Sequence, residues 1–233
     1  MVNLLSTLTP CLDMLLGGGL PESCLTLVYG EASTGKTTLS IQCAVSASRM
    51  GLKTLYIDSD QSFSHQRLLQ IIDGNNVDAC RDIIIFFPRS FMEQSRIVES
   101  LENYMTYKVG LIVVDTVTSL YRLALNSGRG AFTLNRELNR QLAYLDELTL
   151  KHGVATLITG QVRASVDGMS WKIEPVARRT LFYWPKIVLR LKSTANPNVK
   201  EARLERGPPS AQNVERCYLE LTGMGLKNLF NQK

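Results

Sequence analysis

Residues 25 to 38 read Leu25-Thr26-Leu27-Val28-Tyr29-Gly30-Glu31-Ala32-Ser33-Thr34-Gly35-Lys36-Thr37-Thr38. A short apolar run stops at a glycine, Gly30 through Thr37 match the pattern GxxxxGK[ST], and an amphipathic stretch starts inside that match. Gly30 and Gly35 let the backbone turn tightly, so that consecutive N–H groups and a helix N-terminus converge on phosphate oxygens. Lys36 supplies a point charge for the β- and γ-phosphates, and the Thr37 hydroxyl is a ligand for Mg²⁺. With glycine near 7% of residues, a chance match in a chain this long is on the order of 1%. Gly30, Glu31, Ala32, Ser33, Thr34, Gly35, Lys36, Thr37 and Thr38 are therefore the expected cradle of a nucleoside triphosphate.

Outward from this loop, short apolar runs alternate with amphipathic stretches up to residue 160. Strands are expected at Thr54–Ile57, Ile83–Phe87, Leu111–Val114 and Val154–Thr159. Helices are expected at Lys36–Met50, His65–Ile72, Phe91–Met105 and Thr133–Lys151. The last carries Leu134, Leu138, Leu142, Leu145 and Leu148 on one stripe. Apolar strands separated by helices imply a parallel sheet covered on both faces. Beyond Gly160 the pattern changes to Ile187–Leu191, Ala202–Glu205 and Val214–Leu221, read as an antiparallel extension without helices. The expected class is α/β: a mainly parallel twisted sheet flanked by helices, with an antiparallel C-terminal extension, in one domain spanning 1–233.

Composition limits the alternatives. The 233 residues are 45% hydrophobic and 20% charged, and no apolar run approaches the roughly 20 residues that span a bilayer. No basic segment followed by a long apolar core opens the chain, so a cytoplasmic protein is expected. The five cysteines are odd in number and scattered, which reads as buried thiols in a reduced compartment.

Two further elements suit a nucleotide site. Leu111-Ile112-Val113-Val114-Asp115 is an apolar strand ending in a carboxylate, the arrangement that holds Mg²⁺ through water. The strand at 54–57 continues Asp58-Ser59-Asp60. Asp60 is the candidate for positioning an attacking water, while Asp58 either caps the strand end or contacts metal. Gln161 follows the strand 154–159, where its amide can hydrogen-bond a γ-phosphate and report it to the next loop; the alternative is an ordinary loop residue.

The net charge of +5 is unevenly placed. Between 163 and 206 stand Arg163, Lys172, Arg178, Arg179, Lys186, Arg190, Lys192, Lys200, Arg203 and Arg206 against Asp167, Glu174, Glu201 and Glu205. Such a segment faces either a polyanion or simply solvent.

In order, Leu12-Asp13-Met14-Leu15-Leu16-Gly17-Gly18-Gly19-Leu20, the phosphate-binding loop, Leu55-Tyr56-Ile57-Asp58-Ser59-Asp60, Val114-Asp115-Thr116-Val117-Thr118-Ser119-Leu120-Tyr121-Arg122, Thr159-Gly160-Gln161-Val162 and Glu174-Pro175-Val176 resemble the RecA/RadA recombinase superfamily, and within it the archaeal RadB paralogues. The resemblance covers essentially the whole chain. It implies a RecA-like P-loop core that binds ATP and Mg²⁺, with no N-terminal DNA-binding domain and no polymerisation segment before it.

It also implies two DNA-facing loops. One spans Arg122 to Phe132 and includes Arg129; the other spans Arg163 to Arg179 and includes Trp171, Lys172 and Arg178. Lysines and arginines on such loops give affinity without sequence specificity. Trp171 either stacks on a base of a single strand or packs the loop down. Phe182, Tyr183 and Trp184 read as core or subunit contacts.

Three departures from the family pattern bear against ATP turnover while leaving ATP binding intact. Asp60 stands where a glutamate is usual, Ser33 replaces an arginine in the loop, and Ala177-Arg178 replaces a Gly-Gly pair. Shifting a catalytic carboxylate by about 1 Å costs on the order of 100-fold. The leading expectation is an ATP- and DNA-binding accessory protein of homologous recombination and repair. It would be at most a slow ATPase, recognise single-stranded or branched DNA, and act with a recombinase or junction-processing partner, as a monomer or a homo-oligomer. The alternatives are a DNA-stimulated strand-exchange ATPase and a KaiC-like signalling ATPase that does not act on DNA.

Overall fold

The computed structural model describes residues 3–72, 81–128, 130–167, 170–208 and 215–229, with the side chains of 164–167 and 170–172 left aside. In chain order the elements are β1 (Leu4–Leu5), α1 (Pro10–Leu15), β2 (Leu20–Pro21), β3 (Cys24–Gly30), α2 (Lys36–Arg49), β4 (Lys53–Asp58), α3 (His65–Ile72), β5 (Ile83–Phe86) and α4 (Phe91–Ser100). There follow β6 (Val109–Asp115), α5 (Ser119–Asn126), α6 (Ala131–His152), β7 (Ala155–Asp167), β8 (Ser170–Pro175) and α7 (Arg178–Leu181). The chain closes with β9 (Ile187–Ser193), β10 (Val199–Arg206), β11 (Arg216–Thr222) and β12 (Gly225–Asn228).

The central sheet runs β12-β11-β10-β9-β3-β7-β6-β4-β5, and β8 pairs with β7 off this path. Pairing from β9 to β5 is parallel, while β9 to β10, β10 to β11 and β11 to β12 are antiparallel. Its parallel strands are buried on both sides, which is why they read as continuous apolar runs rather than alternating ones. One face packs against α1, α2 and α3, the other against α4, α5 and α6. All five stripe leucines of α6 are buried, each contributing roughly 1.5–3 kcal/mol of burial free energy. Gly153, in the left-handed region at φ 65°, ends that helix.

The sheet brings the loops that follow β3, β4, β6 and β7 to one edge. There β3 stops at Gly30, β4 at Asp58 and β6 at Asp115, with Asp58 and Asp115 in register. Ligands of open α/β sheets bind beyond the carboxyl ends of such strands.

Several expectations need correction. β9 is not part of the antiparallel extension, because Ile187–Leu191 pair parallel with β3; antiparallel order begins one strand later. The expected helix 91–105 ends at Ser100 and tightens into a 3₁₀ turn, Leu101–Tyr104. The basic stretch from 163 is not an irregular loop: β7 runs on to Asp167 and returns as β8, and α7 follows. Arg122 is not on a loop either but in α5. Among the described residues, no helix is long and apolar enough to cross a membrane.

Candidate functional site

The glycine-rich segment closes around its own lysine. Gly30 packs so tightly that an added Cβ would lie 2.1 Å from the Leu191 carbonyl oxygen, and Gly35 takes φ 94° at the N-cap of α2. Ser33, at φ 59°, holds a left-handed conformation without being glycine. Lys36 is only 8% exposed, and its Nζ donates to the carbonyls of Gly30 at 2.9 Å and Glu31 at 2.6 Å. Burial pushes its ammonium below the ordinary lysine range, while Asp115, Asp60 and Glu31 oppose that shift. Thr34 Oγ1 also donates to the Glu31 carbonyl, at 2.9 Å.

Asp115 is fully buried at the end of β6. Thr159 Oγ1 donates to its Oδ1 at 2.5 Å and the Tyr56 hydroxyl to its Oδ2 at 2.9 Å. Burial raises its carboxyl above the usual range, and hydrogen bonds from Thr159, Thr37 and Tyr56 work against the rise. Asp58, in register beside it, accepts from the backbone N–H groups of Ser62 at 3.0 Å and Phe63 at 2.8 Å. Of the two roles considered for Asp58, the geometry is that of a cap on the strand end.

A cavity of about 280 Å³ opens over these groups, lined among others by Lys36, Thr37, Asp60, Arg122 and Gln161. Inside it, Gln161 Nε2 donates to Asp60 Oδ2 at 3.0 Å, and Arg122 Nη1 donates to Gln161 Oε1 at 2.7 Å. The backbone N–H of Gln161 is held by Thr118 Oγ1 at 3.0 Å. The three side chains thus form one chain, Arg122–Gln161–Asp60. Arg122, expected to face DNA, lines this cavity from the first turn of α5.

The donor set suits a triphosphate with Mg²⁺. The Lys36 ammonium, the Thr37 hydroxyl and the Asp60 carboxylate line one cavity at a sheet edge, and the close approach at Gly30 leaves no room for a side chain. Among the described residues no group of three or more His, Cys, Asp or Glu could hold a metal by itself.

A larger cavity, about 770 Å³, lies alongside and is lined by Tyr121, Asn135, Arg163, Glu174, Arg178 and Arg179, among others. Three of the arginines proposed from sequence therefore meet in one groove. The Arg178 guanidinium lies 5.5 Å from the Phe182 ring centroid, and Ala177 before it holds φ 50°. Other members of the basic segment are engaged elsewhere. Arg190 stacks over Tyr29 at 5.7 Å and lies 4.0 Å from Glu205, Arg206 Nη1 donates to the carbonyls of Phe182 and Pro185, and Lys200 is buried. Tyr183 is 73% exposed rather than core, while Trp184 Nε1 donates to Asn139 Oδ1 at 3.0 Å. Arg129 and the side chains of Trp171 and Lys172 lie outside the described residues.

Comparison with known proteins agrees with this layout. The family model described as Rad51 matches residues 1–184. Proteins named DNA repair and recombination protein RadB are similar over nearly the full length: that of Thermococcus kodakarensis is 35% identical over 97% of this chain and 100% of its own, and that of Thermococcus onnurineus 37% over 99% and 100%. The Methanococcoides burtonii protein of the same name is 36% identical over 82% of this chain and 84% of its own. A solved structure described as the crystal structure of the RadB recombinase superposes with a TM-score of 0.81 at 34% identity, covering 97% of this chain and 100% of that one.

Proposed function

The chain belongs to the Rad51 family, and on that premise we propose that it is a nucleotide-gated DNA-binding accessory factor of homologous recombination and repair. It binds ATP with Mg²⁺ through Gly30 to Thr38 and Asp115, and single-stranded or branched DNA through the basic groove. It hydrolyses ATP slowly at most and acts with a recombinase or junction-processing partner.

The observation that carries this reading is the Arg122–Gln161–Asp60 chain and the elements that hold it. Tyr121 lines the basic groove while Arg122 lines the nucleotide cavity, and on β7 Gln161 lines the nucleotide cavity while Arg163 lines the groove. A change at one site is therefore a change in the walls of the other.

In the arrangement described, Gln161 is shared between Asp60 and Arg122. When its amide turns to donate to a γ-phosphate, both neighbours are released: Asp60 toward water and Arg122 toward the groove. Lys36, now bonded to its own loop, is placed to exchange those carbonyls for phosphate oxygens. Mg²⁺, when bound, would neutralise charge on the β- and γ-phosphates, held by Thr37 and, through water, by Asp115. Asp60 is a short carboxylate tied to an amide, which suits a ligand-driven switch better than fast turnover.

The test is ATP hydrolysis by the purified protein with and without single-stranded DNA, beside filter binding of that DNA over a salt series. Slow turnover that DNA does not change, with salt-sensitive DNA binding, supports the proposal. Robust DNA-stimulated turnover favours a strand-exchange ATPase, and no DNA binding at low salt favours a signalling ATPase.

A further inference from the structure

Helix α1 and strand β11 meet at a pair of thiols. Cys11 Sγ lies 3.0 Å from Cys217 Sγ, although the two residues are 206 positions apart. Both are partly exposed, unlike the buried Cys24 and Cys43, so these two depart from the expectation of inert buried thiols. Asn228 of β12 holds the Cys11 backbone, its Oδ1 accepting from the Cys11 N–H at 2.9 Å. The hydrogen bond with Cys217 holds the Cys11 thiol below the ordinary range, against burial and Asp13.

The pair sits at the base of a clamp on the phosphate-loop helix. The Leu226 carbonyl of β12 accepts from Thr9 Oγ1 at 3.0 Å and Gln42 Nε2 at 3.1 Å, and the Leu226 N–H donates to Gln42 Oε1 at 2.7 Å. Leu226 Cδ2 lies 3.1 Å from where a Cβ on Gly35 would be. The β11–β12 hairpin therefore bears directly on the first turn of α2, and α1 holds it in place.

We propose that Cys11 and Cys217 form a redox-modification site, a dithiol that an oxidant of the disulfide class converts to a Cys11–Cys217 disulfide stapling α1 to β11 behind the phosphate-binding loop. The Cys11 thiolate attacks one sulfur of the oxidant, forms a mixed disulfide and expels one thiolate. The Cys217 thiolate then attacks Cys11 Sγ, forms the internal bond and expels the second. The protein loses two electrons and two protons, and the oxidant's S–S bond becomes two thiols. The sulfurs, 3.0 Å apart, need to close by about 1 Å to reach a disulfide bond of about 2.05 Å. Closing a loop of this length constrains the unfolded chain strongly. The inference does not depend on nucleotide or DNA.

The experiment equilibrates the full chain with reduced and oxidised glutathione at a series of ratios, blocks free thiols by alkylation, maps the peptides by mass spectrometry and records thermal melting. The expected result is a linked Cys11–Cys217 peptide and a melting temperature raised by roughly 10 °C or more over the reduced protein. Cys11→Ser and Cys217→Ser should each abolish the shift. Cys11 and Cys217 remaining separately alkylatable at oxidising ratios, or carrying only glutathione, would overturn it. A melting shift that persists in Cys217→Ser would do the same. Peptide mapping needs only the wild-type chain, so the proposal can fail even where a variant does not fold.

Discussion

The phosphate-binding loop and the basic segment 163–206 stand out equally in the amino-acid sequence, yet they fold to different ends. Within Gly30 to Thr37 the hydrogen bonds from Lys36 to Gly30 and Glu31 and from Thr34 to Glu31 span six residues or fewer. The basic segment is dispersed by the sheet. Arg163, Arg178 and Arg179 collect in one groove, whereas Arg190 and Arg206 are spent on Tyr29, Glu205 and two backbone carbonyls, and Lys200 is buried. A motif made of consecutive backbone geometry carries its function in its spacing. A charge cluster does not, because tertiary pairing decides which charges face a ligand.

The comparison can be broken at several points. The largest effect is expected from Gly30→Ala, where the added Cβ meets the backbone oxygen of Leu191 and β9 must move. A loss of about 3 kcal/mol is expected in urea unfolding; a loss below about 0.5 kcal/mol would mean that the loop is not locked to the sheet. Next, Lys36→Ala should weaken ATP binding roughly 10- to 100-fold by titration calorimetry. Unfolding stability should change little, since burial already disfavours the Lys36 ammonium.

The basic segment should divide in two. Arg163→Ala and Arg178→Ala should each lower the slope of log affinity for single-stranded DNA against log salt by about 0.7, one phosphate contact apiece. Arg190→Ala should leave that slope unchanged, and an equal loss from all three would erase the distinction drawn here.

The smallest effect lies outside both regions. Among the described residues Asp146 Oδ1 in α6 is buried without a hydrogen-bond partner, and burial raises its carboxyl pKa against the pull of Lys186. A raised carboxyl pKa means that the folded chain binds the proton more tightly than the unfolded one. Its stability contribution is therefore full below the ordinary value of 3.8 and is lost as pH rises through the higher folded value. Asp146→Asn should accordingly melt slightly higher than wild type at pH 7, by about 0.5 kcal/mol or less. The advantage should fade on titration to pH ~3.5, below the ordinary carboxylate range.

Legibility followed the same division. The helix His65–Ile72 and the stripe of α6 were readable because buried apolar residues recur at helical spacing, and β3, β4 and β6 because both their faces are covered. The hairpin β7–β8 was not, since beyond residue 161 its strands pair with each other off the main sheet and need no apolar run. α7 spans four residues, too few to show a period. α5 hid because Leu123 is exposed on it, which breaks the apolar pattern. Within the site, the residues around Lys36 and Asp115 were named from sequence. The position of Arg122 was not, because its partner Gln161 is 39 residues away and meets it only in the folded chain. The Cys11–Cys217 pair escaped for the same reason at greater range.

The most direct test of nucleotide gating is the affinity for single-stranded DNA of the wild-type and Arg122→Ala proteins, measured with ATP and Mg²⁺, with ADP and without nucleotide. Wild type should bind at least about fivefold tighter with ATP and Mg²⁺ than without nucleotide, the lower end of usual coupling between sites. Arg122→Ala should bind alike in all three states. Wild-type affinity that ignores nucleotide, or a variant that keeps the full difference, would contradict the Arg122–Gln161–Asp60 link.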